Sequence, residues 1–197
     1  MSEEEKILKE DVRTIRTKRD LANALEELLQ EKNFDEIAIK DITDAALISK
    51  NTFYNNFNDK VELLNMVFER YREELMEKVK PILDSYKHGI RHRLFRGLVE
   101  VIVHFFYCFS LPIQKMVHND ESKSIYWAMT LFIQSTIREA FNEREEMVNS
   151  KLENNISSLF YSGAVTSLIY FGFRDGMDVK EEEIVKNIIR LTKPVIH

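Results

Sequence analysis

Lysine, asparagine, threonine and tyrosine crowd one stretch of this chain, Ser49-Lys50-Asn51-Thr52-Phe53-Tyr54-Asn55-Asn56-Phe57-Asn58-Asp59-Lys60. These side chains can read DNA: lysine donates to guanine, asparagine bridges adenine, and a threonine methyl touches thymine. Phe53 and Phe57 are four apart, so both can face a core from one short helix. Lys50, Asn51, Thr52, Tyr54 and Asn55 are then left near the outer face and the N-terminal end, which contacts base edges in helix-turn-helix proteins. Ser49 is placed to cap that helix, leaving free backbone amides towards phosphate. Tyr54 and Lys60 suit phosphate contacts, which position a protein without specifying sequence. Lys40, Lys50 and Lys60 punctuate the segment. On pattern alone, a polar surface helix of an ordinary bundle remains the alternative.

The elements that must hold this stretch are helical. No glycine or proline occurs before Pro81, so the first 80 residues read as helices joined by short Asn/Asp turns. Ile15, Leu21, Leu25, Leu28 and Leu29 approximate helical spacing and predict a first helix ending near Lys32-Asn33. Phe34 and Ile37 tuck under a small core with Ile39, Ile42 and Ala46. Asp59-Lys60-Val61-Glu62 reads as a cap with Glu62 reaching back three residues. Leu63, Leu64, Val67, Phe68, Tyr71 and Leu75 then carry a long helix to about Lys80, where Pro81 interrupts. Further helices are expected near 88–110, 121–144, 150–172 and 180–192, with breaks at Pro112, Asn119-Asp120 and Gly172 to Gly176. Asp178-Val179-Lys180-Glu181 repeats the capping pattern before the last helix. The expectation is an all-α chain. Residues 1–60 form an N-terminal arm and three-helix helix-turn-helix unit, 61–84 a connecting helix, and 85–197 a C-terminal bundle.

Composition narrows the classes. At 197 residues, with 44% hydrophobic and 31% charged, the chain suits a soluble globular protein of one large or two small domains. The start, Met1-Ser2-Glu3-Glu4-Glu5, is acidic and unlike a signal peptide. The apolar run Leu98 to Ile113 is broken by Glu100 and His104 and is too short to span a membrane, so no membrane partner is expected. The single Cys108 rules out an internal disulfide and fits a cytoplasmic location. A net charge of -5 argues mildly against nucleic acid, but Arg13, Arg16, Lys18 and Arg19 lie in a stretch, 12 to 19, with no acidic residue.

Other chemistry is weaker. Residues 101–134 are rich in aromatics: Phe105, Phe106, Tyr107, Phe109, Tyr126, Trp127 and Phe132. His104, Tyr107, Cys108, Tyr126, Trp127 and Gln134 are the candidate ligand-binding set, able to orient a small amphipathic molecule if they line a pocket. A packed core with satisfied polar edges is the other reading. His88 with His92, and His104 with Cys108, have helical i,i+4 spacing, but a zinc site needs three or four ligands, so no metal is expected. There is no nucleotide-binding glycine loop, nucleophile elbow or zinc-protease motif. Cys108 lies in an apolar run where its thiol is expected to be inert. Neither an enzyme nor a cofactor is expected.

Residues 14 to 75 resemble the N-terminal domain of TetR-family transcriptional regulators at Phe34, Ile39, Ile42, Ala46, Ser49, Thr52, Phe53, Tyr54, Phe57, Lys60, Leu63 and Leu64. Ser49 to Asp59 is also similar to the sub-group of dihydroxyacetone-kinase regulators of Gram-positive bacteria. The chain departs from the family pattern at three positions. Leu47 stands for the usual turn glycine, which would strain a left-handed leucine by roughly 1 kcal/mol. Ala38 replaces the threonine that caps the second helix, a loss of about 1 kcal/mol. Asn51 replaces a common glycine and adds an amide towards DNA.

The resemblance implies a homodimer, built mainly from the last two helices, that binds a palindromic double-stranded DNA operator. It further implies a repressor relieved by a small-molecule inducer in the C-terminal bundle. The stripe Ile156, Leu159, Phe160, Gly163, Ala164, Ser167, Leu168 and Phe171, with its small-residue seam, fits an interface or intramolecular core equally well by composition. The resemblance favours the interface. The alternative function is a dimeric helical module that keeps the fold, has lost operator recognition and acts through a protein partner.

Overall fold

The computed structural model describes residues 3–85, 91–108, 110–142, 151–175 and 180–192, all helices and turns. Among the described residues nine α-helices run in order: α1 Glu3–Leu29, α2 Ile39–Ala45, α3 Lys50–Tyr54, α4 Lys60–Ser85, α5 Arg91–Cys108, α6 Ser110–His118, α7 Ser124–Asn142, α8 Lys151–Arg174 and α9 Glu181–Thr192. A 3-10 turn, Phe34–Glu36, links α1 to α2. Among the described residues there is no strand.

α1 ends at Leu29, and three further backbone hydrogen bonds, from the amides of Gln30, Glu31 and Lys32, carry the chain to Lys32. From residue 12 onward, Val12 and Ile15 are exposed and the fully buried positions begin at Leu21. Leu21, Leu25, Phe34, Ile37, Ile42, Phe53, Phe57 and Leu63 close a small core that continues along α4 into the bundle. α4 is the shared member, packing on α1, α5 and α7. Three consecutive α4 residues divide their partners. Arg70 donates to Asn23 Oδ1 at 2.8 Å and the Tyr71 hydroxyl donates to Glu26, both on α1, whereas Arg72 donates to Glu139 on α7. In the bundle, α7 and α8 form the most extensive pair, α9 packs on α5, and α6 on α8.

Several expected breaks moved. Pro81 lies inside α4. Its ring removes one amide, and the carbonyl left free belongs to Glu77; both residues are exposed, where water can take the donor's place. Pro112 is the third residue of α6, a helix not anticipated as separate. Phe109, between α5 and α6, lies outside the described residues. Gly172 continues α8, which runs to Arg174. The break at Asn119-Asp120 is observed. Asp178 and Val179, like Gly176, lie outside the described residues, and α9 begins at Glu181 with Lys180 accepting its first backbone bonds.

The turn between α6 and α7 hides a polar network that the sequence did not signal. Asp120 is fully buried, and its Oδ2 accepts from the Tyr170 hydroxyl at 2.8 Å and the Tyr126 amide at 3.1 Å. Arg174 donates to the Asp120 carbonyl at 2.6 Å and to the Tyr170 oxygen at 3.0 Å. Burial, reinforced by Asp120, pushes the Tyr170 phenol up from 10.0 to about 12.

Candidate nucleic-acid interface

The chain turns between α2 and α3 through Ala46, Leu47 and Ile48. Leu47 adopts φ 55, the left-handed conformation that favours glycine, and its side chain is 93% exposed. Strain there is unrelieved by packing. The turn is held instead by backbone: the Ala46 amide donates to the Ile42 carbonyl and the Ile48 amide to the Thr43 carbonyl, each at 2.9 Å. Ala38 caps α2 with no side-chain acceptor, and the reciprocal half of the box survives alone, with Asp41 Oδ2 accepting from the Ala38 amide at 2.9 Å.

Ser49 caps α3, its Oγ accepting from the Thr52 amide at 3.1 Å and pairing with Thr52 Oγ1 at 2.8 Å. Phe53 and Phe57 are buried with ring centroids 5.8 Å apart. Their burial fixes the rotation of α3. Ser49, Lys50, Asn51, Tyr54 and Asn55 are consequently exposed, and Thr52 is half-buried. Lys50 Nζ sits 5.9 Å from the Tyr54 ring, and Tyr54 stands edge-on to Phe53 at 5.5 Å. Lys40 is exposed at the start of α2, in a loose ion pair with Asp44 at 3.3 Å. The sequence reading missed Asn56, whose Nδ2 donates to the Thr52 carbonyl at 2.8 Å and ties off the end of α3.

Lys60 is placed otherwise than expected. Its ammonium donates to the carbonyls of Phe34 at 2.7 Å, Ile37 at 2.9 Å and Asp35 at 3.3 Å, and lies 4.5 Å from the Phe34 ring centroid. Its ammonium meets the carbonyls at the end of the 3-10 turn, where a cation is favourable, and the Phe34 carbonyl accepts from the Ile37 amide at 3.2 Å as well. Here Lys60 is an internal strut, and its phosphate contact is not prepared. The neighbouring cap is also redrawn. Asp59 Oδ1 accepts from the Glu62 amide at 2.8 Å as anticipated, but Glu62 reaches back four residues, accepting from the Asn58 amide at 2.8 Å and Nδ2 at 2.9 Å.

Residues 18–67 match the family model described as bacterial regulatory proteins, tetR family. Over this N-terminal segment the chain is similar to the tetR family. It is 36% identical over 64 residues to the HTH-type dhaKLM operon transcriptional activator DhaS of Lactococcus lactis subsp. lactis (strain IL1403); this covers 32% of the chain and 34% of that relative. The match thus spans about a third of the relative's length. Two solved structures share the wider fold. The dihydroxyacetone kinase operon activator DhaS has a TM-score of 0.53 at 19% identity, covering 91% of this chain and 96% of that one. A TetR transcriptional regulator from Streptococcus agalactiae 2603V has a TM-score of 0.59 at 19% identity, covering 94% and 98%. The matched family model and the matched relative are both named for regulators.

The six candidate ligand residues do not converge in the bundle. On α5, Ile102, Val103, Phe105 and Phe106 take the core face, so His104 and Cys108 fall on the outer side, beside α9. Cys108 is exposed rather than buried, its Sγ 3.2 Å from His104 Nε2 and 3.9 Å from Nδ1. Tyr107 packs on Phe173 at 5.6 Å, and the Tyr126 hydroxyl meets Ser167 Oγ at 3.1 Å. Trp127 is exposed. Gln134 alone of the six lines a described groove, about 300 Å³ between α4 and α7, with Phe68, Phe132 and Arg138. Of the candidate interface, Ile156, Phe160 and Phe171 are exposed, and Gly163, Ala164 and Ser167 half-buried. Trp127 and Leu131 on α7 are exposed as well, and the Tyr126 ring lies 5.4 Å from Trp127 and 6.2 Å from Phe171. Among the described residues, Leu191 is the large hydrophobic that α9 exposes. Among the described residues of the bundle, the exposed large hydrophobics lie mainly on α7 and on α8, the first of the last two helices. The stretch Asn155–Arg174 is long and apolar enough to cross a membrane by length and composition, but nearly half of it is buried in the bundle.

Proposed function

We propose that the chain is a cytoplasmic transcriptional regulator that binds a palindromic DNA operator as a homodimer. The observation that carries this is the fixed rotation of α3. With Phe53 and Phe57 locked inward, Lys50, Asn51, Tyr54 and Asn55 present donors and acceptors outward in one polar row. Lys50 and Asn51 reach base edges, Tyr54, Asn55 and Ser49 contact backbone, and Lys40 and the Arg13 to Arg19 stretch supply cationic flank. The Ile156, Leu159, Phe160, Phe171, Trp127 and Leu131 surface joins two copies and sets the spacing of their recognition helices. A small-molecule inducer fits the α4/α7 groove beside Gln134, where it would act on α4, the helix that also carries the reading unit. It shifts operator binding only by its differential affinity for two placements of that helix. Occlusion of a promoter, hence repression, is the simplest result of such binding; the DhaS relative is named an activator, so the footprint's position decides the sign.

The test is binding of the full chain to DNA fragments flanking its own gene, at two salt concentrations with competitor DNA. A protected palindrome weakened by salt is expected. Folded protein that shows no salt-dependent site at low salt would sink the reading and leave the partner-binding module. Phe160→Asp should leave the chain folded but monomeric by light scattering; a dimer that survived would move the interface off α8.

A further inference from the structure

Between residues 12 and 19, α1 carries four cations and no acid, and its two sides differ. Val12, Ile15, Arg16 and Arg19 follow i, i+3, i+4, i+7 spacing and share one face. The buried Leu21 and Leu25 take the opposite side. Val12 is 60% exposed, Ile15 66% and the Arg16 side chain 76%, and Arg13 is exposed at the edge of the same face. Lys18 leans the other way, its ammonium 5.7 Å from the ring centroid of Phe57, just past the end of α3. α1 therefore passes the end of α3 at Lys18. Arg16 and Arg13 lie about 3 Å and about 7.5 Å further along its axis, at a rise of about 1.5 Å per residue. The composition of this face separates two ways of meeting DNA. A row that only follows phosphates needs cations, and two exposed branched hydrocarbons among them gain nothing from a charged, hydrated backbone. The minor groove suits both kinds of side chain. Arginine is drawn to the enhanced negative potential where A·T pairs narrow the groove, and apolar side chains accompany it in proteins that bind there. A helix about 10 Å across cannot enter a groove about 6 Å wide, so side chains alone reach in. Arg19 donates to Asp20 Oδ1 at 3.2 Å, and Arg16 Nε lies 3.8 Å from Oδ2. Such exposed pairs are worth little, and the longer one leaves Arg16 able to turn towards DNA.

We propose that this segment of α1 reads the minor groove flanking each operator half-site, with Arg13 and Arg16 as specificity-determining residues that select A·T-rich flanks. The inference rests on the regulator reading and adds to it a stretch of DNA outside the bases that α3 meets. Arg13 and Arg16 sense groove width and the absence of the guanine 2-amino group. Val12 and Ile15 lie against the deoxyribose walls.

The protected palindrome is placed in three duplexes whose flanks carry A·T, G·C or inosine·C pairs. Each is titrated with the full-length wild type and with the double variant Arg13→Ala, Arg16→Ala. Inosine lacks the 2-amino group of guanine but keeps its major-groove edge, so it isolates the minor groove. Both arginines are exposed and alanine favours a helix, and circular dichroism confirms the fold. Wild type should bind the A·T and inosine flanks roughly five- to tenfold more tightly than the G·C flanks. The double variant should bind all three alike. Equal wild-type affinity on the three flanks, or a variant that loses affinity equally on all of them, would overturn the inference and leave α1 following phosphates, with the regulator reading intact. Inosine flanks that behave as G·C would assign the preference to the major groove and overturn it too. Folded protein that binds none of the duplexes takes the regulator reading down with it.

Discussion

The recognition unit and the helical bundle expose different chemistry and hold it in different ways. Around α3 the outward side chains are polar, and the bonds that fix them span three or four residues: Ser49 to Thr52, Asn56 to Thr52, Asn58 to Glu62. In the bundle the outward set includes Trp127, Leu131, Ile156, Leu159 and Phe160, and polar groups are held from another helix, as Asp120 is by Tyr170 fifty residues away. A surface built from local bonds keeps its pattern wherever the unit is carried, which suits reading a rigid polar ligand such as a DNA groove. A surface built from long-range packing is specific to one bundle, which suits recognition of another copy of the same chain.

The contrast can be broken most directly at Phe53. Phe53→Ala removes the fully buried ring that rotates α3, and should cost about 3–5 kcal/mol. Denaturant unfolding should show that loss together with abolished DNA binding; a variant that kept operator affinity would mean α3 is not oriented by its buried face. Lys60 comes next. Lys60→Met keeps most of the stem but strips the donors from the Phe34 and Ile37 carbonyls, so stability should fall by about 1–2 kcal/mol. The salt dependence of binding should be unchanged, whereas loss of a phosphate contact would lower its slope by about 0.9. Asn51→Ala is the matched control, altering base preference and leaving stability alone.

In the bundle the sharper probe is alkali. The Tyr170 phenol is raised to about 12 in the folded chain, chiefly by burial, and Tyr71 is raised further by burial and its bond to Glu26. Below the ordinary tyrosine value of 10.0 both states keep these protons, so the contribution is complete. Above it the unfolded chain loses protons first, and stability falls as pH rises towards and through 12. Denaturant midpoints across that window should decline, and Tyr71→Phe should flatten the decline. A midpoint insensitive to alkali would deny the buried phenols. The smallest effect belongs to Leu47→Gly, which removes left-handed strain but loosens the unfolded chain. A net gain of about 0.5 kcal/mol is expected in melting experiments; a clear loss would show that leucine suits the turn.

Sequence legibility follows the same division. The Ser49 cap, the Asp59 bond to Glu62, the inward Phe53 and Phe57 and the left-handed Leu47 could all be read, because each depends on neighbours within a turn. Lys60 could not, since its acceptors lie 23 to 26 residues back in the chain. Nor could the outward turn of His104 and Cys108, which depends on which α5 face meets the core. Pro81 and Pro112 misled for another reason: a proline breaks a helix only where a carbonyl is stranded or an amide is needed. Position within the helix decides that, and position was unknown.

The division of labour along Arg70, Tyr71 and Arg72 bears on how such proteins can be recombined. Two of these neighbours grip α1 and the third grips α7, so the bonds change sides between Tyr71 and Arg72. A chimera joined at that peptide bond keeps Arg70 and Tyr71 with α1 and Arg72 with Glu139, whereas a join a few residues later leaves Arg72 reaching for a partner left behind. One position along a long helix therefore marks where parts can be exchanged without matched changes on both sides.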